Sequence, residues 1–536
     1  MPNRPQSEGI RRIDKSAHGQ NRLAALDLGT NSFHLIICQA TPDGLVETLD
    51  THKEVVRLGD GLDEAGFLSA GHMQKAVDCL KGMKKIIDTW KCPIRAVATH
   101  AIRAARNHGE LLRAIEDATG IHVELIDGYE EARLGFLGMR SALPLDRDFA
   151  LGADIGGGST ELIVACRNNF SFVSSLKIGT VGITNRFLKS PHPPLDDIRR
   201  ARNYLTSRMA PLRSDAKRHP FKTAVATSGT AKALARMLHY LENDESIDDP
   251  NGNIITLEDL DRLEARLIQL AAPRQIRSAF DLDKRRSEII LAGCMILRCI
   301  SEVFAVQQWV VATRGLREGL AIDTFIRRNQ IKADDFENIR WKSVQAFADK
   351  TGVDKALAND LQRSALMVYD ALEPFPGEDI GSGGINRELL GASCWLCECG
   401  KFVGYANYHK HAWYLITHGS LLGFSQEERS LIALVCRYSR KKVATSSSNT
   451  PKKYLSVNLS RINFLASCLR IARALNRTRS GGTRSVQGTL AGGKLQITID
   501  FDSPTGPEAE WQALQKERKN LCKALGMAIE FRMNPV

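Results

Sequence analysis

Residues 154–162 read DIGGGSTEL and lie between two short apolar runs, FAL at 149–151 and LIVA at 162–165. Apolar runs joined by an aspartate, three glycines and a serine predict a β-hairpin bent around something that needs bare backbone. Glycine permits positive φ and lets main-chain N–H groups approach an anion with no Cβ in the way. Asp154 and Glu161 are then candidates to hold a hydrated Mg²⁺ beside that anion. Taken alone, the triplet also suits a ligand-free glycine-rich hairpin. A second copy shifts the balance: residues 27–37, DLGTNSFHLII, align without gaps and match at Asp27/Asp154, Gly29/Gly156, Ser32/Ser159, Leu35/Leu162 and Ile36/Ile163. Two such hairpins, each opening an α/β half, are what a duplicated fold gripping phosphate from both sides of a cleft requires.

Around these hairpins the chain of 536 residues, 43% hydrophobic, is long enough for several folded cores. No apolar run reaches the length of a membrane span, and residues 1–21 are polar without a signal-peptide core, so a cytoplasmic protein with a loose N-terminal tail is expected. Twelve cysteines scattered over expected core positions agree with a reducing compartment. The net charge of +12 is concentrated, because residues 429–499 hold 14 Lys and Arg and no Asp or Glu. Such a block suggests either a polyanion partner or a solvated cationic face.

The segment 94–99 reads as a short buried strand running into THAIRAARN, which places Arg103 at a strand's carboxyl end, where open α/β sheets bind ligands. A strand at 121–126 leads into DGYEEARLGFLGM, with Glu130 and Glu131 in the first turn of a helix. Acidic residues there ordinarily complement the helix dipole, but this helix opens at the expected cleft. ATSGTAKAL (226–234) is a small-residue loop entering a helix, and 326–329 reads as a linker.

The repeated hairpin resembles the superfamily of actin, the heat-shock chaperones and the sugar kinases. The ordered set DLGTNSFHL, ATHAIRAARN, IDGYEEARL, DIGGGSTEL, ATSGTAKAL and GLREG (315–319) resembles the exopolyphosphatase and guanosine pentaphosphate phosphatase (Ppx/GppA) family, and most of all its long-form exopolyphosphatases. The resemblance covers at least residues 22–328. It implies a duplicated actin-like (ribonuclease H-like) ATPase fold over 22–145 and 146–329. A helical His-Asp phosphohydrolase-like domain over 330–480 and a small α+β domain over 481–536 would follow. It also implies Glu131 as the base that activates water, Asp154 and Glu161 as Mg²⁺ ligands, and a homodimer. Thr30, Asn31, Ser32, Arg103, Gly156, Gly157, Gly158 and Ser159 would hold the terminal phosphates. Cys397 and Glu398 stand where the His-Asp pair would be, so a second metal site is not expected. Zinc on Cys394, Cys397, Cys399, His409 and His411 is also disfavoured, because C-x₂-C-x-C on one helix makes no paired-cysteine knuckle.

The expected activity is release of terminal orthophosphate from inorganic polyphosphate, with the basic C-terminal stretch holding the distal chain. Guanosine pentaphosphate 5′-phosphatase activity is the alternative, and a non-catalytic polyphosphate or alarmone sensor the third reading. Neither a specific nucleic-acid partner nor a membrane span is expected. A sugar kinase is disfavoured because no separate sugar-binding motif is found.

Overall fold

The computed structural model describes residues 21–535 apart from 64, 191, 271, 333–338, 375–383, 420, 442, 446–458 and 503–506. The tail expected over 1–21, but for Asn21, and most of a Ser/Thr-rich stretch at 444–453 lie outside the described residues. The chain divides into two compact units, Met1–Glu337 and Asn338–Val536.

In the first unit β1 (Arg22–Leu28) is apolar on both faces from Leu23 to Leu26, because it runs inside a sheet with a parallel neighbour. It pairs antiparallel with β2 (Phe33–Ala40) and parallel with β4 (Ile94–Ala98). With β3 (Val46–Glu54) and β5 (Val123–Leu125) the order is β3-β2-β1-β4-β5. The second sheet contains β6 (Ala150–Ile155), β7 (Thr160–Cys166), β8 (Asn169–Leu176), β9 (Thr223–Thr227), β10 (Ile254–Thr256) and β11 (Gln308–Val311), in the order β10-β11-β9-β6-β7-β8. From its other edge it repeats the first sheet strand for strand, and β10 is an antiparallel addition. The repeat read from the sequence is thus a repeat of topology. The registers agree too: Asp27 faces His34 across the first hairpin, and Asp154 faces Glu161 across the second.

Two helices tie these halves together. The helix Gly128–Arg140 follows the first sheet but packs on β6, β7 and β8, while Leu316–Arg327 follows the second sheet but packs on β1, β2 and β4. They cross backbone to backbone: a β-carbon at Gly138 would overlap the Gly315 carbonyl, and one at Gly319 the Leu134 carbonyl. The linker expected at 326–329 begins only after Arg327, because the helix continues through that residue.

The second unit packs the helices Ile339–Lys350, Lys355–Leu372, Gly384–Leu396, Tyr408–His418, Gln426–Tyr438 and Leu459–Leu475 around one apolar core. A sheet of β12 (Thr483–Ala491), β13 (Lys494–Phe501) and β14 (Ala528–Pro535), with the helix Glu508–Leu525, joins the same core through Leu495, Ile497, Phe501, Leu514 and Phe531. The cysteine spacing does not fall on one helix. Cys394 is near the end of Gly384–Leu396, Cys397 follows it, and Cys399 opens a separate 3₁₀ turn. All three thiols are buried, and the Cys397 thiol donates to the Cys394 carbonyl. No helix among the described residues is long and apolar enough to cross a membrane.

Candidate active site

The two hairpin turns are built alike. The Gly29 N–H donates to the Ser32 carbonyl at 3.2 Å, and the Gly156 N–H to the Ser159 carbonyl at 2.9 Å. Gly156, Gly157 and Gly158 do not adopt positive φ, contrary to the expectation from the sequence. They are needed for close approach instead. A methyl at Gly158 would come within 2.6 Å of Thr30 Oγ1 and His100 Cδ2, and one at Gly157 within 3.4 Å of the Asn31 β-carbon. The second loop therefore lies against the first. Its carbonyls are engaged from behind, because Thr180 and Val181 N–H, at the start of the helix Thr180–Phe187, donate to the Gly156 and Gly157 carbonyls at 3.0 and 2.9 Å.

Carboxyl groups converge at these turns. Glu161 is buried and accepts from Ser175 Oγ at 2.8 Å. Burial raises its affinity for a proton, and repulsion from Asp154 adds to the rise against hydrogen bonds from Ser159 and Ser175. Burial pushes Asp154 up to about 6 against the pull of Lys232 and Arg317. It pushes Asp27 up to about 7, with Arg317 opposing and Asp154 and Glu318 adding to the rise. Glu131 accepts from Arg103 Nη1 at 3.1 Å, yet burial and repulsion from Glu161 hold its carboxyl well above the ordinary range.

Cations line the same place. Lys232 Nζ donates to the Thr313 carbonyl at 3.3 Å, and Arg317 lies 3.4 Å from His34 Nδ1 and 3.7 Å from Glu318. Arg286 packs its guanidinium on Gly229. Neither Lys232 nor Arg286 makes an ion pair among the described residues, and burial lowers both their pKa values. Burial and these charges hold His34 neutral, at about 3. The strand-to-helix turn nearby is strained: Ser228 has φ 81, held by its hydroxyl donating to the Ile155 carbonyl at 2.9 Å.

The sequence candidates Thr30, Asn31, Gly156, Gly157, Gly158, Ser159, Asp154 and Glu161 are thus brought together at the facing turns, and Glu131 with Arg103 faces Glu161 and Asp27. Ser32 and Ser159 are both buried, and each accepts through its carbonyl from the first glycine of its own turn. Arg103 donates its Nη1 to both Glu131 and the Ile126 carbonyl. Sequence reasoning assigned no role to Asp27, Lys232, Arg286, Arg317 or Glu318. Asp27 was legible as the first-copy partner of Asp154, and Lys232, Arg317 and Glu318 stand inside quoted motifs. Arg286 carried no signal.

The donor set suits a hard cation. Asp27 Oδ1 is buried with no hydrogen-bond partner, and its neighbours are carboxylates. Among the described residues no three His, Cys, Asp or Glu side chains form a ready metal cage. Mg²⁺ does not need one, because it takes one or two carboxylates and completes its shell with water and phosphate oxygens.

Several arginines of the basic run in the second unit are engaged internally. Arg470 is 2% exposed and donates to the Tyr438 and Lys441 carbonyls and to Glu517. Arg473 donates to Tyr408 and faces Glu398, Arg479 pairs with Asp354, Arg484 with Asp502, and Arg461 donates to Asn386. These acids lie outside 429–499, so part of the linear charge run is offset in space by acids from elsewhere in the chain. A smaller cationic group does gather: Arg437, Arg440, Lys441 and Lys410 surround His409, with Arg440 4.6 Å over the Tyr408 ring.

Residues 36–327 match the Ppx/GppA phosphatase family, and residues 339–517 match Ppx/GppA phosphatase, domain III. Among solved structures, an exopolyphosphatase from Cytophaga hutchinsonii is 27% identical, with a TM-score of 0.53, over 58% of this chain and 99% of that one. The Ppx/GppA family member of Aquifex aeolicus is 29% identical, with a TM-score of 0.51, over 57% of this chain and 98% of that one.

Proposed function

This chain belongs to the Ppx/GppA phosphatase family, and we propose that it is an exopolyphosphatase that releases terminal orthophosphate from inorganic polyphosphate with Glu131 as general base. The observation that carries this reading is the pairing of buried, proton-retaining carboxyls with unpaired cations at two facing turns. Such an arrangement is poorly compensated by itself and complementary to a phosphate chain with its counter-cation.

Attack on a phosphoanhydride is slowed mainly by negative charge on the phosphate, so catalysis is largely positioning and neutralisation. Lys232, Arg286 and Arg317 supply fixed positive charge, and the turns at 29–32 and 156–159 supply close-packed backbone. Asp27, Asp154 and Glu161 would hold Mg²⁺, which supplies charge neutralisation when bound. Arg103 orients the Glu131 carboxylate at 3.1 Å. Glu131 takes the proton of the attacking water. Its raised proton affinity makes it a stronger base than an exposed glutamate. The distal chain is assigned to the cationic group around Tyr408 and His409 in the second unit. That unit's helices are read as a degenerate His-Asp-like domain, with Cys397 and Glu398 at the pair.

The test is Mg²⁺-dependent phosphate release from long-chain polyphosphate and from guanosine pentaphosphate in parallel, with wild type and Glu131→Gln. Polyphosphate turnover that falls about 10²- to 10⁴-fold in the variant is expected. Preference for the guanosine compound would move the activity to the 5′-phosphatase reaction. Absence of Glu131-dependent release from both would leave a binding protein.

A further inference from the structure

An ion network lies where the two tying helices cross. Arg133 grips Glu130 with both Nε and Nη2, at 2.7 and 2.8 Å, and the same Nη2 reaches Asp323 Oδ1 at 2.7 Å. The other oxygen of Asp323 accepts from Arg95 Nη1 at 2.7 Å and lies 2.8 Å from Arg327 Nε. Arg95, on β4, also binds Thr324 at 3.2 Å and the more exposed Glu124. Asp323 is 6% exposed and Arg95 9%. The guanidinium groups outweigh burial and hold the Asp323 carboxyl below the usual range, so it stays ionised.

The connectivity gives this network its meaning. Arg95 belongs to the first sheet, and Asp323 to the helix packed on that sheet. Arg133 belongs to the helix packed on the second sheet, and that helix carries Glu131 in its first turn. Asp323 therefore joins the two halves of the unit through one carboxylate. The chain of bonds ends on Glu130, the neighbour of Glu131. Gly138 and Gly319 bring the two helix backbones into direct contact at the crossing, and the ion network adds directional bonds between the helices beside that contact. We propose that Asp323 is a positioning residue. Through Arg133 it sets the first turn of Gly128–Arg140, and with it the place of the Glu131 carboxylate opposite Asp27 and Glu161.

This inference rests on the reading of Glu131 as the base. It is tested with Asp323→Asn, Asp323→Glu and Arg133→Lys, with Glu124→Gln as the control that loosens Arg95 without touching the crossing. Each full-length variant is assayed for kcat and KM on polyphosphate and for amide hydrogen exchange in the first turn of Gly128–Arg140. Asp323→Asn and Arg133→Lys are expected to lower kcat about 10- to 100-fold with KM changed less than about twofold, the loss typical of a base displaced by a fraction of an ångström to an ångström. First-turn exchange should quicken, Asp323→Glu should recover part of kcat, and Glu124→Gln should change neither. Unchanged kcat in both Asp323→Asn and Arg133→Lys, or an equal effect of Glu124→Gln, overturns the proposal. If wild type releases no phosphate from any substrate, the hydrolase reading fails separately. Exchange then decides the tie: faster first-turn exchange in Asp323→Asn alone supports it, and equal exchange overturns it.

Discussion

Replacing Asp27 by asparagine should stabilise the metal-free protein at high pH while impairing catalysis. The Asp27 carboxyl rises from 3.8 to about 7 on folding. Below pH 4 the group is protonated in both folded and unfolded chains and contributes nothing to the difference. Between about pH 4 and 7 the folded chain keeps a proton that the unfolded chain has lost. Folding then binds protons, and stability falls as pH rises, by about 1.4 kcal/mol per pH unit. Above about pH 7 the whole cost is present, roughly 4 kcal/mol for a shift of this size treated alone. An asparagine side chain is nearly isosteric with the protonated acid and never has to ionise. Thermal unfolding of the first unit in a chelator, for wild type and Asp27→Asn at pH 5, 6, 7 and 8, reads the difference directly. The variant should gain about 1.5 kcal/mol at pH 5, about twice that at pH 6, and level off near the full difference between pH 7 and 8. The gain at pH 8 should shrink when Mg²⁺ is added, because the cation stabilises only the wild-type carboxylate. A gain independent of pH, or a variant less stable than wild type at pH 8, would refute the reasoning.

The same carboxyl physics predicts that the acid limb of kcat/KM lies well above the ordinary glutamate value of 4.5, since Glu131 must lose its proton to act and burial resists that loss; a limb at or below that value in a pH–rate profile contradicts the assignment. Gly138→Ala should cost at least about 1–3 kcal/mol, measured by denaturant unfolding, because its methyl meets the Gly315 carbonyl at the helix crossing. Arg440→Ala with Lys441→Ala should weaken binding of long polyphosphate and flatten its dependence on salt by about one to two in the log–log slope. Release of phosphate from tripolyphosphate should be unchanged, and equal loss on both substrates would argue against a distal chain site.

The fold was legible because it is written twice. Asp27 and Asp154 occupy the same register position in two hairpins, and apolar runs such as LAAL in β1 admit few alternatives to a buried strand. The edge strand β10, three residues long, carries no such run and gives no strand signal in the sequence. The site was legible in part for a related reason: Glu131, Asp154 and Glu161 stand in motifs whose neighbours announce a turn. Arg286 stands in none, and it reaches the site because a helix distant in sequence delivers it onto Gly229. The glycine triplet suggests positive φ and room for an anion; the structure shows no positive φ there and finds the space beside the triplet filled by Thr30, Asn31 and His100. Sequence records that a Cβ is missing, but not whether sterics or dihedrals required it.

The charge of the chain shows the same gap between sequence and space. The acid-free run 429–499 suggests a track for a polyanion, yet among the described residues Glu517, Glu398, Asp354 and Asp502 arrive from outside it to face Arg470, Arg473, Arg479 and Arg484, four of its 14 cations. The first unit shows no comparable excess in its sequence, but it gathers carboxyls of raised proton affinity beside cations that make no ion pair among the described residues. The Arg470–Glu517 pair leaves both charges compensated, whereas burial of the Asp27 carboxyl works against folding wherever that group must ionise. A binding site for a highly charged substrate is therefore found less by counting charge along a chain than by asking which buried charges the fold leaves uncompensated. Among the described residues Asp27, Asp154, Lys232 and Arg286, around the two facing turns, are such groups.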